Sequence, residues 1–290
     1  MRIVYHLGAH CTDEERLLRC LLKNRGPLAQ EGIVVPGPTR YRNLIRDTAI
    51  TLKGNAASQD TQALVLDQIM DEDRAERLIL SWDSFLAFPQ WAVRRALYPN
   101  AGARVRAFTQ IFPDIEAEFH LAIRNPATFL PELFQKQKGK SHDEFFDGAA
   151  PMDLGWPSVI IDILSANPGV PLFVWCDEDT PLIWPEVLRT VSGHAPETVL
   201  EDTDDLLADI MSADGFRRMT GYLASHPPQN EQQRRRIVSA FLDKFALPDQ
   251  IEVELDIPGW TPQLVEAMTA QYDRDVGRIA VTPGVTFIAP

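Results

Sequence analysis

A chain of 290 residues, 45% of them hydrophobic, fits one large domain or one domain with a helical annex, and its apolar runs are far too short to span a bilayer. Its 28 lysines and arginines face 41 aspartates and glutamates, a formal net charge of −13, which argues against nucleic-acid binding and weighs against anionic membranes, since both need a positive face. Three cysteines, Cys11, Cys20 and Cys176, form no Cys-x-x-Cys pair, and Met1-Arg2 runs straight into a strand with no signal-peptide pattern, so a reducing, cytoplasmic location is expected.

The chain then alternates strand and helix signals. Ile3–Leu7 reads as a first strand, and Asp13–Gly26 as a helix whose Leu17, Leu18, Leu21 and Leu22 share one face. Thr12 and Glu15 have capping-box spacing. Ile33–Val35 is a second strand, closed by Pro36, and helical patterns cover Tyr41–Leu52 and Ser58–Glu72. Arg77–Ser81 is a third strand; Pro89–Leu97 and Ala103–Phe112 read as helices, and Glu116–Ile123 as a fourth strand. Arg124-Asn125-Pro126 ends that strand and opens a helix, with proline suited to the first turn. Val170–Cys176 is a fifth strand, and a helix begins near Thr180-Pro181, with Asp179 or Thr180 as its cap.

After Ser192 the chain reads as a mostly helical C-terminal portion, residues 193–290, of the same domain. One stripe is Ile237, Val238, Phe241, Leu242 and Phe245; another is Leu264, Val265, Met268 and Tyr272. Val285–Ile288 is either a short edge strand or a docking segment. The alternation predicts an α/β fold, a parallel sheet of about five strands flanked by helices. Ligands bind such sheets outside the carboxyl ends of the strands. That edge carries Gly8–Asp13, Ser81–Ser84, Arg124–Asn125 and Cys176–Asp179.

Over roughly the first 180 residues the motifs resemble those of bacterial sulfotransferases, P-loop-type relatives of nucleotide kinases that use 3′-phosphoadenosine-5′-phosphosulfate. The family loop, approximately His-hydrophobic-Gly-x-His-Lys-Thr-Gly-Thr-Thr, is matched at His6, Gly8, His10 and Thr12 of "YHLGAHCTDEERLLRCL". "GIVVPG" resembles the family's next strand, and "LILSWDSF" its third-strand segment with a Ser-x-Glu ending. "HLAIRNP" resembles the segment whose arginine and a later serine hold the donor's 3′-phosphate. The resemblance implies that Gly8, Ala9, His10, Cys11, Thr12 and Arg124 form the donor site. It implies Asp83 and His10 as catalytic residues, Asp83 taking the proton of a hydroxyl acceptor, and a small-molecule nucleotide or acceptor as partner.

The departures fall on the anion contacts. The family lysine is Cys11, its Gly-Thr-Thr is Asp13-Glu14-Glu15, and the serine expected after the motif arginine is Glu132. A helix N-terminus binds phosphate only through free N–H donors. At an effective dielectric near 20, a like-charge contact at 4 Å costs roughly 4 kcal/mol. Weak or absent donor binding is therefore expected, and with it a diverged protein that acts as a binding or regulatory module; the alternative is an active sulfotransferase with altered donor contacts. On residue chemistry alone, Asp13–Glu15 is ordinary compensation of a helix dipole.

Other constellations have two readings each. His6, His10, Cys11 and Asp13 lie close enough in sequence for a metal site, against a core histidine and a loop histidine. Asp83 is a general base or a turn residue. Asp177, Glu178 and Asp179 are a helix start or carboxylates for a divalent cation, and if both acidic loops face one cleft, that cleft attracts cations and not a sulfonucleotide. "KQKGK", Lys136–Lys140, either replaces lost phosphate contacts or is a solvated helix end, and Arg234–Arg236 is expected on an exposed helix face.

Overall fold

Short continuous apolar runs build the sheet, because both of its faces are buried. In the computed structural model, which describes residues 1–13, 15–72, 74–137, 139–252 and 257–290, six strands form one sheet. They are β1 (Arg2–His6), β2 (Ile33–Val34), β3 (Arg77–Ser81), β4 (Glu116–Ile123), β5 (Leu172–Cys176) and β6 (Val285–Ile288). Their order is β2-β3-β1-β4-β5-β6, parallel throughout. The sheet thus has six strands where the sequence pattern gives about five, because the last apolar run pairs with β5.

Ile3, Tyr5 and Leu7 pack into one core, while Val4 between them packs into another. The split repeats in β3, with Leu78 and Leu80 against Ile79, and in β5, with Leu172 and Val174 against Trp175. Fully burying each Ile or Leu contributes about 1.5–3 kcal/mol. The larger core is covered by α3 (Pro38–Leu52), α4 (Gln59–Ile69), α5 (Ala101–Thr109), α6 (Pro126–Lys136), α7 (His142–Phe146), α8 (Trp156–Ala166) and the late α14 (Pro262–Ala280). The other core is covered by α1 (Arg16–Lys23), α2 (Arg25–Gln30) and α9 (Thr180–Ser192). The helices α10 (Asp205–Ile210), α11 (Ala213–Ser225) and α12 (Glu231–Phe245) share a third, small core, and α13 (Pro248–Ile251) follows them. No helix among the described residues is long and apolar enough to cross a membrane.

Several predicted elements change shape. The first helix begins at Arg16, not Asp13, and ends at Lys23. Pro27 cannot donate to the Lys23 carbonyl, so the chain restarts as α2. Buried Asn24 holds the joint, donating to the Cys20 carbonyl at 2.8 Å and accepting from the Glu201 N–H at 2.7 Å. Pro89–Leu97 is not an α-helix: Pro89–Trp91 makes one 3-10 turn, and Arg95 and Tyr98 have φ of 58° and 44°. Its apolar residues Ala92, Val93, Leu97 and Tyr98 are nonetheless buried, and Pro99 bars Tyr98 from helical geometry. The sequence reading missed α8, although Val159, Ile160 and Ile163 have helical spacing and are buried.

Two of the three arginines in Arg234–Arg236 turn inward. Arg234 pairs with Asp204 at 2.9 Å and Arg235 with Glu186, which ties α12 to α9 and to the turn before α10. Only Arg236 is exposed.

Candidate functional site

The switch in strand order places β1 between β3 and β4, and the loop leaving β1 lies at the carboxyl edge of all three. Gly8 opens that loop with φ +53°, where a Cβ would stand 3.1 Å from the Asp83 Cα. Only glycine fits both constraints without strain. Cys11 and Glu15 also take left-handed φ values, 58° and 66°. The expected Thr12–Glu15 capping box does not form, because these turns swing the Thr12 hydroxyl back to donate to the Ala9 carbonyl at 2.7 Å. Asp13 takes the capping role: its carboxylate accepts from the Leu17 N–H at 3.0 Å and the Glu15 N–H at 3.3 Å. The Leu17 N–H of the first helical turn and the Glu15 N–H before it are thus bonded to a carboxylate of the same loop, and the Arg16 N–H to the Asp13 carbonyl at 2.9 Å. Glu15 pairs with Arg42 at 2.5 Å, and Arg42 also donates to the Ser81 carbonyl at 3.0 Å. Glu14 lies outside the described residues.

Arg124 leaves the end of β4 with its backbone held by the Trp156 indole, which donates to the Arg124 carbonyl at 2.7 Å. Its guanidinium donates to Glu132 at 2.6 Å and to the Cys11 carbonyl. Glu132 lies two turns along α6 and pairs again with Lys136 at 3.1 Å. Burial alone would raise the Glu132 carboxyl, but Arg124 and Lys136 hold it below its ordinary value. Burial, followed by the Glu132 charge, pushes the Cys11 thiol up to about 12. It is a neutral wall of the loop.

Two cavities flank this loop. One, of about 400 Å³, is lined by Gly8, Ala9, His10, Cys11, Asp83 and Lys136, among others. The other, of about 770 Å³, is lined by Thr12, Asp13, Arg124, Glu132, Asp177 and Glu178 on the sheet side and by residues of α10, α12 and α13 opposite. Asp83 and His10 therefore share a cavity, while Arg124 and Thr12 belong to its neighbour. Among the described residues only Asp13 lines both. Asp83 is exposed, with its carboxylate accepting from the Ser84 hydroxyl at 3.1 Å.

His10 is buried under Tyr98, whose hydroxyl accepts the His10 backbone N–H at 3.2 Å and lies 2.8 Å from Nδ1. With its oxygen accepting the His10 N–H, the phenol has its one proton to give to Nδ1, an arrangement that puts the ring proton on Nε2, which is buried and has no hydrogen-bond partner among the described residues. Burial lowers the His10 pKa to about 4, so the ring is neutral near pH 7. His6 is likewise buried, with Nδ1 2.8 Å from the Ser81 hydroxyl and its ring stacked on Trp175. The metal alternative finds no geometry: no three His, Cys, Asp or Glu side chains among the described residues converge on an ion. Of the basic run, Lys136 engages Glu132 and Lys140 donates to the Gln90 carbonyl at 2.8 Å; Lys138 lies outside the described residues.

The loop after β5 does not cap its helix as expected. Asp179 stands at the N-cap of α9 without a side-chain cap bond, and the buried Thr180 hydroxyl has no partner. Glu178 instead accepts from the Asn125 N–H at 2.7 Å and from the Tyr272 hydroxyl at 3.1 Å, so α14 braces the ends of β4 and β5. Asp177 lines the larger cavity. Burial first, then Glu178, Asp13 and Glu132, push its carboxyl up to about 7 against the opposing pull of Arg124. Both acidic loops thus face one cleft.

Comparison with protein families, with curated proteins and with solved structures finds no match to this chain. Arg42, Tyr98 and Trp156 were not singled out by their sequence context, and each acts on a loop distant in the chain. Thr180 carried a signal, since a threonine before Pro181 reads as a cap, but its hydroxyl is left over.

Proposed function

We propose that this chain is a diverged sulfotransferase-like protein on a P-loop-type framework, with sulfonucleotide binding weakened or lost, and that it serves as a binding or regulatory module. The observation that carries this reading is the pairing of Arg124 with Glu132, the residue at the position of the expected phosphate-binding serine. A phosphate approaching Arg124 must displace that carboxylate. It then meets the Asp13 carboxylate on the Leu17 N–H, where each like-charge contact at 4 Å costs roughly 4 kcal/mol at an effective dielectric near 20. The central β1 with its loop and helix at the switch point supports the framework half of the proposal. Fold likeness does not secure activity.

An active transferase is the second reading, favoured by one observation: Asp83 is exposed at the cavity that His10 lines, where a hydroxyl acceptor could enter. In that case Arg124 holds a phosphate, the Gly8–Thr12 backbone cradles the donor and Asp83 is the base. Calorimetry with 3′-phosphoadenosine 5′-phosphate separates the two. No heat at millimolar ligand is expected. Micromolar binding that Arg124→Ala abolishes would establish the active reading in its place.

A further inference from the structure

We propose that the larger cleft, between the carboxyl edge of the sheet and α10–α13, binds an aliphatic organic cation whose ammonium is received by the Asp177 carboxylate and the Thr180 hydroxyl. The inference rests on the reading above: a crevice closed to anions by its own carboxylates is thereby fitted to cations.

Three independent observations lead there. First, the charge of the lining is unbalanced. Asp13, Glu132, Asp177, Glu178, Asp243 and Glu252 face the cleft against Arg16 and Arg124. Both arginines are already paired, Arg16 with Asp209 at 2.8 Å and Arg124 with Glu132 at 2.6 Å. Second, polar groups are left over. Thr180 is only 5% exposed, lines the cleft, and its Oγ1 has no hydrogen-bond partner among the described residues. The Asp177 carboxylate makes no hydrogen bond within the described residues, and Glu178, Asp13 and Glu132 crowd it against the single opposing charge of Arg124. A buried hydroxyl and a carboxylate without partners each carry a desolvation cost that an N–H donor removes. Third, the wall between the acids is apolar: Leu182, Leu206, Ile210 and Leu242 line the same space.

The chemistry of the occupant follows. A metal ion needs several ligands on one point, and no three carboxylate, thiol or imidazole groups converge among the described residues. Carboxylates spread over a cleft of about 770 Å³, with an apolar wall, suit a methylene chain carrying ammonium groups. Acids on both walls, Asp177 on the sheet side and Asp243 on α12, favour a cation with charge at each end.

Calorimetry of the full chain at pH 8 with 1,5-diaminopentane tests this, with 1-pentanol and calcium chloride as comparison probes. Saturable binding of the diamine is expected, with no heat from pentanol. Asp177→Asn should weaken it about tenfold or more, the loss of one charge-assisted contact, and Thr180→Val by a few-fold. Silence with the diamine at millimolar concentration would overturn the proposal. Affinity unchanged in both variants, or displacement of the diamine by equimolar calcium, would do the same. The nucleotide titration reports separately: 3′-phosphoadenosine 5′-phosphate binding defeats the closed-donor-site reading, whereas absence of diamine binding with the nucleotide also silent defeats only the cation assignment.

Discussion

The Arg124 guanidinium lies 2.6 Å from the Glu132 carboxylate and donates as well to the Cys11 carbonyl, so the cation at the end of β4 is neutralised within the chain. Nothing in this arrangement is a loose surface pair: the two side chains are 12% and 24% exposed. In the same crevice the Asp13 carboxylate accepts the Leu17 N–H of the first helical turn.

Undoing that closure should open the anion site. Glu132→Ser combined with Asp13→Gly frees the guanidinium and the first helical N–H donors together. The double variant is expected to bind 3′-phosphoadenosine 5′-phosphate at least tenfold more tightly than the parent, since one charge-assisted contact contributes about 1.5–3 kcal/mol. Calorimetry reads the gain directly. Equal, undetectable binding in both proteins would show that the carboxylates are not what excludes the nucleotide.

Gly8 is held by backbone on both counts, its φ of +53° and the Asp83 main chain 3.1 Å from where a Cβ would stand. Gly8→Ala should cost about 1–2 kcal/mol for the left-handed conformation alone, and more for the displaced β3 loop. A urea denaturation midpoint lowered at unchanged slope is the expected record. A midpoint equal to that of the parent would mean that the loop relaxes freely and that glycine is not required there.

How much of this was legible in the sequence follows from the range of each interaction. Strand positions were readable because a short apolar run is a local signal: Ile3–Leu7 declares a strand buried on both faces without knowing its partners. The carboxyl-edge loops were readable because each follows the end of such a run. What those acids do was not readable. Asp13 as a cap depends on left-handed turns at Cys11 and Glu15, neither a glycine. Glu15 finds Arg42 on another helix, and His10 finds Tyr98 from 88 residues away. The stretch Pro89–Leu97 misled because its apolar residues are buried by tertiary packing in irregular backbone that the following Pro99 enforces.

Tyr98 orients His10, and that can be tested without any ligand. The phenol fixes the neutral ring with its proton on Nε2, and burial lowers the pKa to about 4. Nitrogen-15 NMR of the imidazole should therefore report the Nε2–H tautomer from pH 8 down to about pH 5. A histidine whose folded pKa lies below its unfolded value contributes its full stability above about 6.5 and loses it as pH falls toward 4. Tyr98→Phe should release the ring to exchange tautomers and cost about 0.5–1.5 kcal/mol for each of the two hydrogen bonds lost. An Nδ1–H ring in the parent, or a titration near 6.5, would contradict the geometry.

Asp177 gives the opposite sign of pH dependence. Its carboxyl is pushed up to about 7 from an ordinary value near 3.8, chiefly by burial, so the fold disfavours its ionised form. Stability associated with this group is complete below about 3.8, declines as pH rises between 3.8 and 7, and is level above that. Asp177→Asn removes the ionisation and keeps the shape. The variant should match the parent at pH 4 and exceed it at pH 8 by about 2–4 kcal/mol, allowing for screening at a partly exposed site. Comparing the two proteins at each pH cancels the titration of His6 and His10, which both retain. A difference that does not change with pH would place the Asp177 carboxylate in water and remove the crowding of like charges from which the cation cleft is inferred.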